Sequence, residues 1–231
     1  MTDFAFAPPA PPSVAILDSE ERFPVRRIFC VGRNYAAHAR EMGQDPDREP
    51  PFFFSKPADA VVDSGSTIPY PSLTEDLHHE IELVVAIGKG GSDIPVENAL
   101  DHVFGYAVGI DLTRRDLQGA AKKKGQPWDW GKAFDRSAPC APIMPVARSG
   151  HPQKGRVWLA VNDETRQEGD LDELIWPVAD VIAICSRAVE LKPGDLIYTG
   201  TPAGVGAVLR GDRMTGGVEG VGEISIDIAE G

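Results

Sequence analysis

Carboxylates gather at two points of the chain where they could act together. Glu80 and Glu82 lie in the run His78-His79-Glu80-Ile81-Glu82-Leu83-Val84-Val85-Ala86-Ile87, and Asp111 closes the apolar run Gly105-Tyr106-Ala107-Val108-Gly109-Ile110. Side chains alternate faces along a strand, so Glu80 and Glu82 should point one way while Ile81 and Leu83 point the other. Two carboxylates held side by side repel each other and call for positive charge between them. An oxygen-only set favours a hard cation such as Mg²⁺ or Ca²⁺. Glu-Ile-Glu by itself also fits an ordinary acidic strand face exposed to solvent. The motifs around it argue for ligation.

Four further stretches carry chemistry-capable residues. In Gly32-Arg33-Asn34-Tyr35-Ala36-Ala37-His38-Ala39-Arg40-Glu41, His38 and Glu41 are three apart and share a face if the segment is helical. A carboxylate beside an imidazole orients the ring and raises its basicity, which suits a general base acting on water; a casual surface pair is the plainer alternative. In Asp111-Leu112-Thr113-Arg114-Arg115-Asp116-Leu117-Gln118, a helix from 112 onward puts Arg115 and Gln118 on one face, although Asp111 could equally be an N-cap beside solvated arginines. Lys132, in Trp130-Gly131-Lys132-Ala133-Phe134-Asp135, has aromatic and glycine neighbours, unlike the run Lys122-Lys123-Lys124. A lysine buried in such company needs an anionic partner. The loop Tyr198-Thr199-Gly200-Thr201-Pro202-Ala203-Gly204-Val205-Gly206 offers hydroxyls and backbone amides that could grip a carboxylate.

These groups need a scaffold, and the chain reads as one. The proline-rich residues 1–25 are expected to form an N-terminal arm, with at most a short edge strand around Val14, and residues 26–231 the main domain. Strands are expected over 26–31, 51–57, 77–88, 101–110, 158–162, 195–199 and 222–228. Helices are expected over 34–42, with Asn34 as N-cap, over 112–124, stopped by Gly125, and over 171–187, with Pro177 at a first helical position. Many short strands with few helices predict a strand-dominated α+β fold without regular βαβ alternation.

Composition narrows the function. With 231 residues, 42% hydrophobic and 25% charged, the chain is ordinary for a globular protein with one substantial core. A net charge of −12 argues against a nucleic-acid partner. Cys30, Cys140 and Cys185 are odd in number and lack CxxC spacing, which reads as reduced thiols in a cytoplasmic protein. Neither a membrane span nor a signal peptide is expected. His79-Glu80-Ile81-Glu82-Leu83 lacks the second histidine of a zincin helix, the glycine runs do not follow the dinucleotide-binding pattern, and there is no Gly-x-Ser-x-Gly elbow.

Taken in order, Gly32-Arg33-Asn34-Tyr35, Phe54-Ser55-Lys56-Pro57, Glu80-Ile81-Glu82, Asp111-Leu112-Thr113, Lys132-Ala133-Phe134-Asp135 and Thr199-Gly200-Thr201-Pro202 resemble the fumarylacetoacetate hydrolase family, over residues 26–228. The resemblance implies a mixed β-sandwich roll and a homodimer. It implies Glu80, Glu82 and Asp111 as ligands of a divalent cation, foremost Mg²⁺ with Mn²⁺ or Ca²⁺ as alternatives. His38 and Glu41 become the water-activating pair, Lys132 the electrophilic partner, and Arg33, Arg115, Gln118 and Thr201 the substrate contacts. The implied reaction is hydrolytic cleavage of a carbon–carbon bond in a small anionic 1,3-diketo acid, an acylpyruvate, with fumarylpyruvate foremost. Oxaloacetate decarboxylation and keto–enol tautomerisation are the alternatives at the same site. One departure stands out: glycine precedes and alanine follows Lys132, where relatives commonly have the reverse order.

Overall fold

The computed structural model of the chain describes residues 4–36 and 50–230. His38 and Glu41 therefore lie outside the described residues, as do most of the helix expected over 34–42 and the residues up to 49.

The centre of the fold is an eight-stranded mixed sheet. Its main path runs Phe52–Lys56, Arg27–Gly32, Asp195–Tyr198, Ile81–Ile87, Val103–Ile110, Ala138–Cys140 and Val61–Asp63, and Met144–Pro145 pairs with Val103–Ile110 off this path. Asp195–Tyr198 is parallel to Arg27–Gly32, and Ala138–Cys140 is parallel to Val61–Asp63; the other pairings are antiparallel. A second sheet of five strands, in the order Glu164–Asp170, Arg156–Val161, Arg213–Val218, Gly222–Ile228 and Thr67–Ile68, packs against one face of the first.

Alternation along Ile81–Ile87 divides the core. Ile81, Leu83, Val85 and Ile87 point to the large cluster shared with Val157, Leu159, Met214, Ile224 and Ile226 of the second sheet. Val84 and Ala86 point to the opposite face, where Ile28, Cys30, Leu196 and Tyr198 complete a smaller apolar cluster. Strands buried on both faces read as nearly unbroken apolar runs.

A three-stranded sheet joins Thr113–Arg114, Leu77–His79 and Gly206–Val208. The run expected as one strand over 77–88 is thus two, because the chain changes partners at Glu80: Leu77–His79 pairs within the small sheet and Ile81–Ile87 within the large one. The helix expected over 112–124 begins later, at Arg115, since Thr113 and Arg114 are held in that small sheet. It ends at Lys124, with Gly125 in the left-handed conformation at φ +62°. The later helix spans Val178–Ala188, and Pro177 caps it rather than opening it. In the arm, Ser13–Ala15 pairs with Arg22–Pro24 and buries Val14 and Phe23. No helix of the described residues is long and apolar enough to cross a membrane.

Candidate active site

Glu80 occupies the junction between the small sheet and the large one, and Glu82 follows one pleat later on the face of Val84 and Ala86. Opposite Glu82 stands Gly109. A Cβ there would come within 2.5 Å of both the Tyr198 ring and Val84 Cγ2, so glycine lets that ring pack down beside the carboxylate. Asp111 lies directly beyond the Val103–Ile110 strand, and its N–H donates to the Glu80 carbonyl at 2.8 Å. The three side chains meet: their ligand atoms fall within 4.8 Å of one another, and all three residues are buried.

Three cations surround them. Lys132 Nζ lies 2.8 Å from Glu80 Oε2 and 2.6 Å from Asp111 Oδ2. Lys56 Nζ, with its side chain fully buried, pairs with Asp111 Oδ1 at 2.8 Å and donates to the carbonyls of Leu112 and Lys132. Arg115 Nη2 donates to Glu80 Oε1 at 2.5 Å, its Nη1 to Gln118 Oε1 at 2.6 Å, and its Nε to His78 Nδ1 at 3.3 Å. Arg115 and Gln118 thus share a helix face, as their spacing predicts. Burial works against the Lys132 ammonium, but Asp111 and Glu80 outweigh it and hold its pKa above the ordinary lysine value.

Glu82 differs from its two partners. Its Oε2 accepts the Gly200 N–H at 2.7 Å, and it makes no ion pair among the described residues. Burial, then the charges of Asp111 and Glu80, push its carboxyl well above the usual range, against the pull of Gly200 and Lys132. Among the described residues, the three carboxylates balance Lys56, Lys132 and Arg115 in formal charge. A dication added to that balance would leave this described set positive, which suits an anionic ligand. An all-oxygen donor set, buried and with one carboxyl that resists ionising without more positive charge, fits a hard divalent cation.

The cluster opens into a cavity walled by Val31, Phe52, Phe54, Trp128 and Thr201, with Arg33 and Lys122 also lining it. The aromatic side is built on Gly32, whose Cβ would lie 2.0 Å from the Phe52 ring. Arg33 turns back at φ +63°, and its guanidinium sits 4.9 Å from the Phe52 centroid. Phe52 and Trp128 meet edge to face at 5.2 Å, and Lys132 Nζ lies 4.9 Å from the Phe54 centroid.

The structure therefore brings together Glu80, Glu82, Asp111, Lys132, Arg115 and Gln118, with Arg33 and Thr201 on the cavity wall. His38 and Glu41 are outside the described residues. Sequence reasoning gave no role to Lys56, although it stands in the Phe54-Ser55-Lys56-Pro57 motif at the end of an apolar strand. It also missed Thr113, which donates to Glu80 Oε1 at 3.1 Å, and Gln167, a buried residue in a polar strand.

The family described as fumarylacetoacetate (FAA) hydrolase C-terminal matches residues 27–229. The chain belongs to the fumarylacetoacetate hydrolase family, and that membership supports an enzyme of the hydrolase class acting on carbon–carbon bonds. It is 46% identical over 189 residues to a fumarylpyruvate hydrolase of Ralstonia sp., covering 81% of this chain and 98% of the relative. It is 43% identical over 196 residues to the mitochondrial oxaloacetate tautomerase FAHD1 of Homo sapiens, covering 85% and 88%. A crystal structure of fumarylpyruvate hydrolase from Pseudomonas aeruginosa, in complex with Mn²⁺ and pyruvate, superposes with a TM-score of 0.96 at 58% identity, covering 98% of this chain and 99% of that one.

Proposed function

We propose that this protein is a divalent-cation-dependent hydrolase that cleaves an acylpyruvate, with fumarylpyruvate as substrate and fumarate and pyruvate as products. The observation that carries the reading is the buried trio Glu80, Glu82 and Asp111, of which Glu80 and Glu82 line a cavity shared with several cations. The likeness to the Pseudomonas aeruginosa structure containing Mn²⁺ and pyruvate supports it. Glu80, Glu82 and Asp111 would hold the cation, foremost Mg²⁺, with Mn²⁺ or Ca²⁺ as alternatives. Bound there, it neutralises charge on the keto-acid oxygens and polarises them as a Lewis acid.

The remaining work falls to side chains. Arg115, fixed by Glu80, Gln118 and His78, and the Thr201 hydroxyl orient the keto-acid end. Lys132 remains an ammonium, so it serves as a donor to the oxygen on which negative charge develops, not as a base. Water gives its proton to His38, oriented by Glu41, and its oxygen bonds to the distal acyl carbon. The electron pair of the breaking carbon–carbon bond stays with the pyruvate fragment, which takes a proton at that carbon. The aromatic wall suits a planar unsaturated acyl group, and Arg33 and Lys122 suit a distal carboxylate. In this reading the enzyme is a cytoplasmic homodimer, and its first 25 residues are an arm on the catalytic domain 26–231.

A second reading is favoured by the human relative named oxaloacetate tautomerase. Keto–enol interconversion or decarboxylation of oxaloacetate uses the same cation and Arg115 but no attacking water. Product analysis with fumarylpyruvate, acetylpyruvate and oxaloacetate in parallel, with chelator controls, separates them. Chelator-sensitive fumarate and pyruvate support the hydrolase. Conversion of oxaloacetate alone supports the second reading and removes water activation from the role of His38.

A further inference from the structure

Gln167 lies in Glu164–Asp170, a strand whose first residues Glu164, Thr165 and Arg166 and whose next residue Glu168 are exposed, yet Gln167 itself is 1% exposed. The strand's register explains this. Leu159 faces Gln167 and Ala160 faces Thr165, so a bulge leaves Arg166 unpaired. Bulges re-aim side chains, often beside a site. Gly204, at φ +89°, packs on the bulge, where a Cβ would lie 2.1 Å from the Arg166 carbonyl oxygen.

The carboxamide then makes four contacts. Its Oε1 accepts the Ile81 N–H at 3.1 Å and faces His79 Nδ1 at 2.8 Å, while its Nε2 donates to the Pro202 carbonyl at 2.9 Å and to Thr201 Oγ1 at 2.7 Å. The amide cannot be flipped. Ile81 N–H can only donate and the Pro202 carbonyl can only accept, so the orientation is dictated by the backbone. Thr201 Oγ1 is consequently an acceptor toward Gln167, and its own proton is free to point elsewhere. Thr201 is 3% exposed and lines the cavity over the carboxylate trio.

We infer that Gln167 is a positioning residue: it makes the Thr201 hydroxyl a hydrogen-bond donor into the cavity, directed at a carboxylate oxygen of a 2-keto-acid ligand. The residues Ile81 and Gln167 tie this hydroxyl to the strand that carries Glu82, so the donor and the cation ligands keep a fixed spacing. The inference rests on the keto-acid reading of the site.

The test is calorimetric titration of pyruvate into Mn²⁺-loaded protein, beside thermal melts of each variant. Gln167→Met and Thr201→Val should each weaken pyruvate binding about tenfold or more, the scale of one hydrogen bond to a charged group. Thr201→Ser should bind near the wild-type level. The double variant should bind no worse than the weaker single variant, because both changes remove the same interaction. A purely structural Gln167 would lower the melting temperature of Gln167→Met and leave its pyruvate affinity unchanged, which overturns the inference. Effects that multiply in the double variant overturn it too. Should Gln167→Met fail to melt cooperatively, Gln167→Glu carries the same cycle, since a carboxylate accepts the Thr201 proton and should weaken pyruvate binding likewise. If the wild-type protein does not bind pyruvate, the reading of the site fails, and this inference with it.

Discussion

The Gly200 N–H donates to Glu82 Oε2 at 2.7 Å, and Gly200 holds φ +102°, a conformation that side chains rarely adopt. A Cβ at this position would also stand 2.7 Å from the Asn34 Cβ. Asn34 is itself fixed, because its carboxamide bonds the Trp176 backbone on both sides and the Thr199 carbonyl. Gly200→Ala therefore strains the loop and pulls the amide from Glu82. The left-handed backbone alone should cost about 1–2 kcal/mol, lowering the melting temperature by roughly 2–8 °C for a chain of this size. Mn²⁺ affinity should fall as well. Thermal melts and metal titration check both.

Glu82 makes metal binding a pH-dependent event. Its carboxyl titrates above the ordinary range when folded, so between the two values the metal-free folded protein holds a proton that the unfolded chain has lost. This contribution to stability is present below the unfolded value and is lost as pH rises through the folded one. A dication displaces that proton, so the rise in melting temperature on adding Mn²⁺ should grow with pH across this window. Calorimetry in buffers of different ionisation enthalpy should detect proton release on Mn²⁺ binding, and Glu82→Gln should abolish it.

Lys56 and Lys132 share Asp111 but should fail differently. Lys56→Met strands Asp111 Oδ1 and two backbone carbonyls in a fully buried place, at a cost of about 3–5 kcal/mol. Denaturant unfolding measures it. Lys132→Met should lower turnover of fumarylpyruvate about 10²- to 10³-fold through loss of a donor to developing charge. Steady-state kinetics check this, with a metal titration to show that Mn²⁺ is still bound.

Arg33 and Lys122 should govern choice of acyl group. Replacing either by alanine should raise KM for fumarylpyruvate more than KM for acetylpyruvate, which has no distal carboxylate. Parallel kinetics on the two substrates read the ratio.

Much of this site was legible because local pattern and local structure agreed. Period-two alternation put Glu82 opposite in sense to Ile81 and Leu83, and helical spacing paired Arg115 with Gln118. The closing strand 222–228 and the stop at Gly125 followed from alternation and from glycine's freedom. Where pairing is non-local, the pattern was silent. Val61–Asp63, Thr67–Ile68 and Met144–Pro145 are too short to show a period, and their strand character comes from the neighbours they pair with. Gln167 was hidden by its polar strand and by a bulge that shifts its parity. Lys56 lies in the Phe54-Ser55-Lys56-Pro57 motif, but its partner is 55 residues away in sequence, and only the fold brings Asp111 to it.

The central claim is hydrolysis at the carboxylate trio. The most direct test follows fumarate and pyruvate released from fumarylpyruvate by protein stripped with chelator and then reloaded with Mn²⁺, beside the Glu82→Gln variant. Equimolar fumarate and pyruvate from the reloaded protein are expected, with neither product from the stripped protein or from Glu82→Gln. Fumarate release that persists without metal, or reloaded protein that converts oxaloacetate but leaves fumarylpyruvate intact, would contradict it.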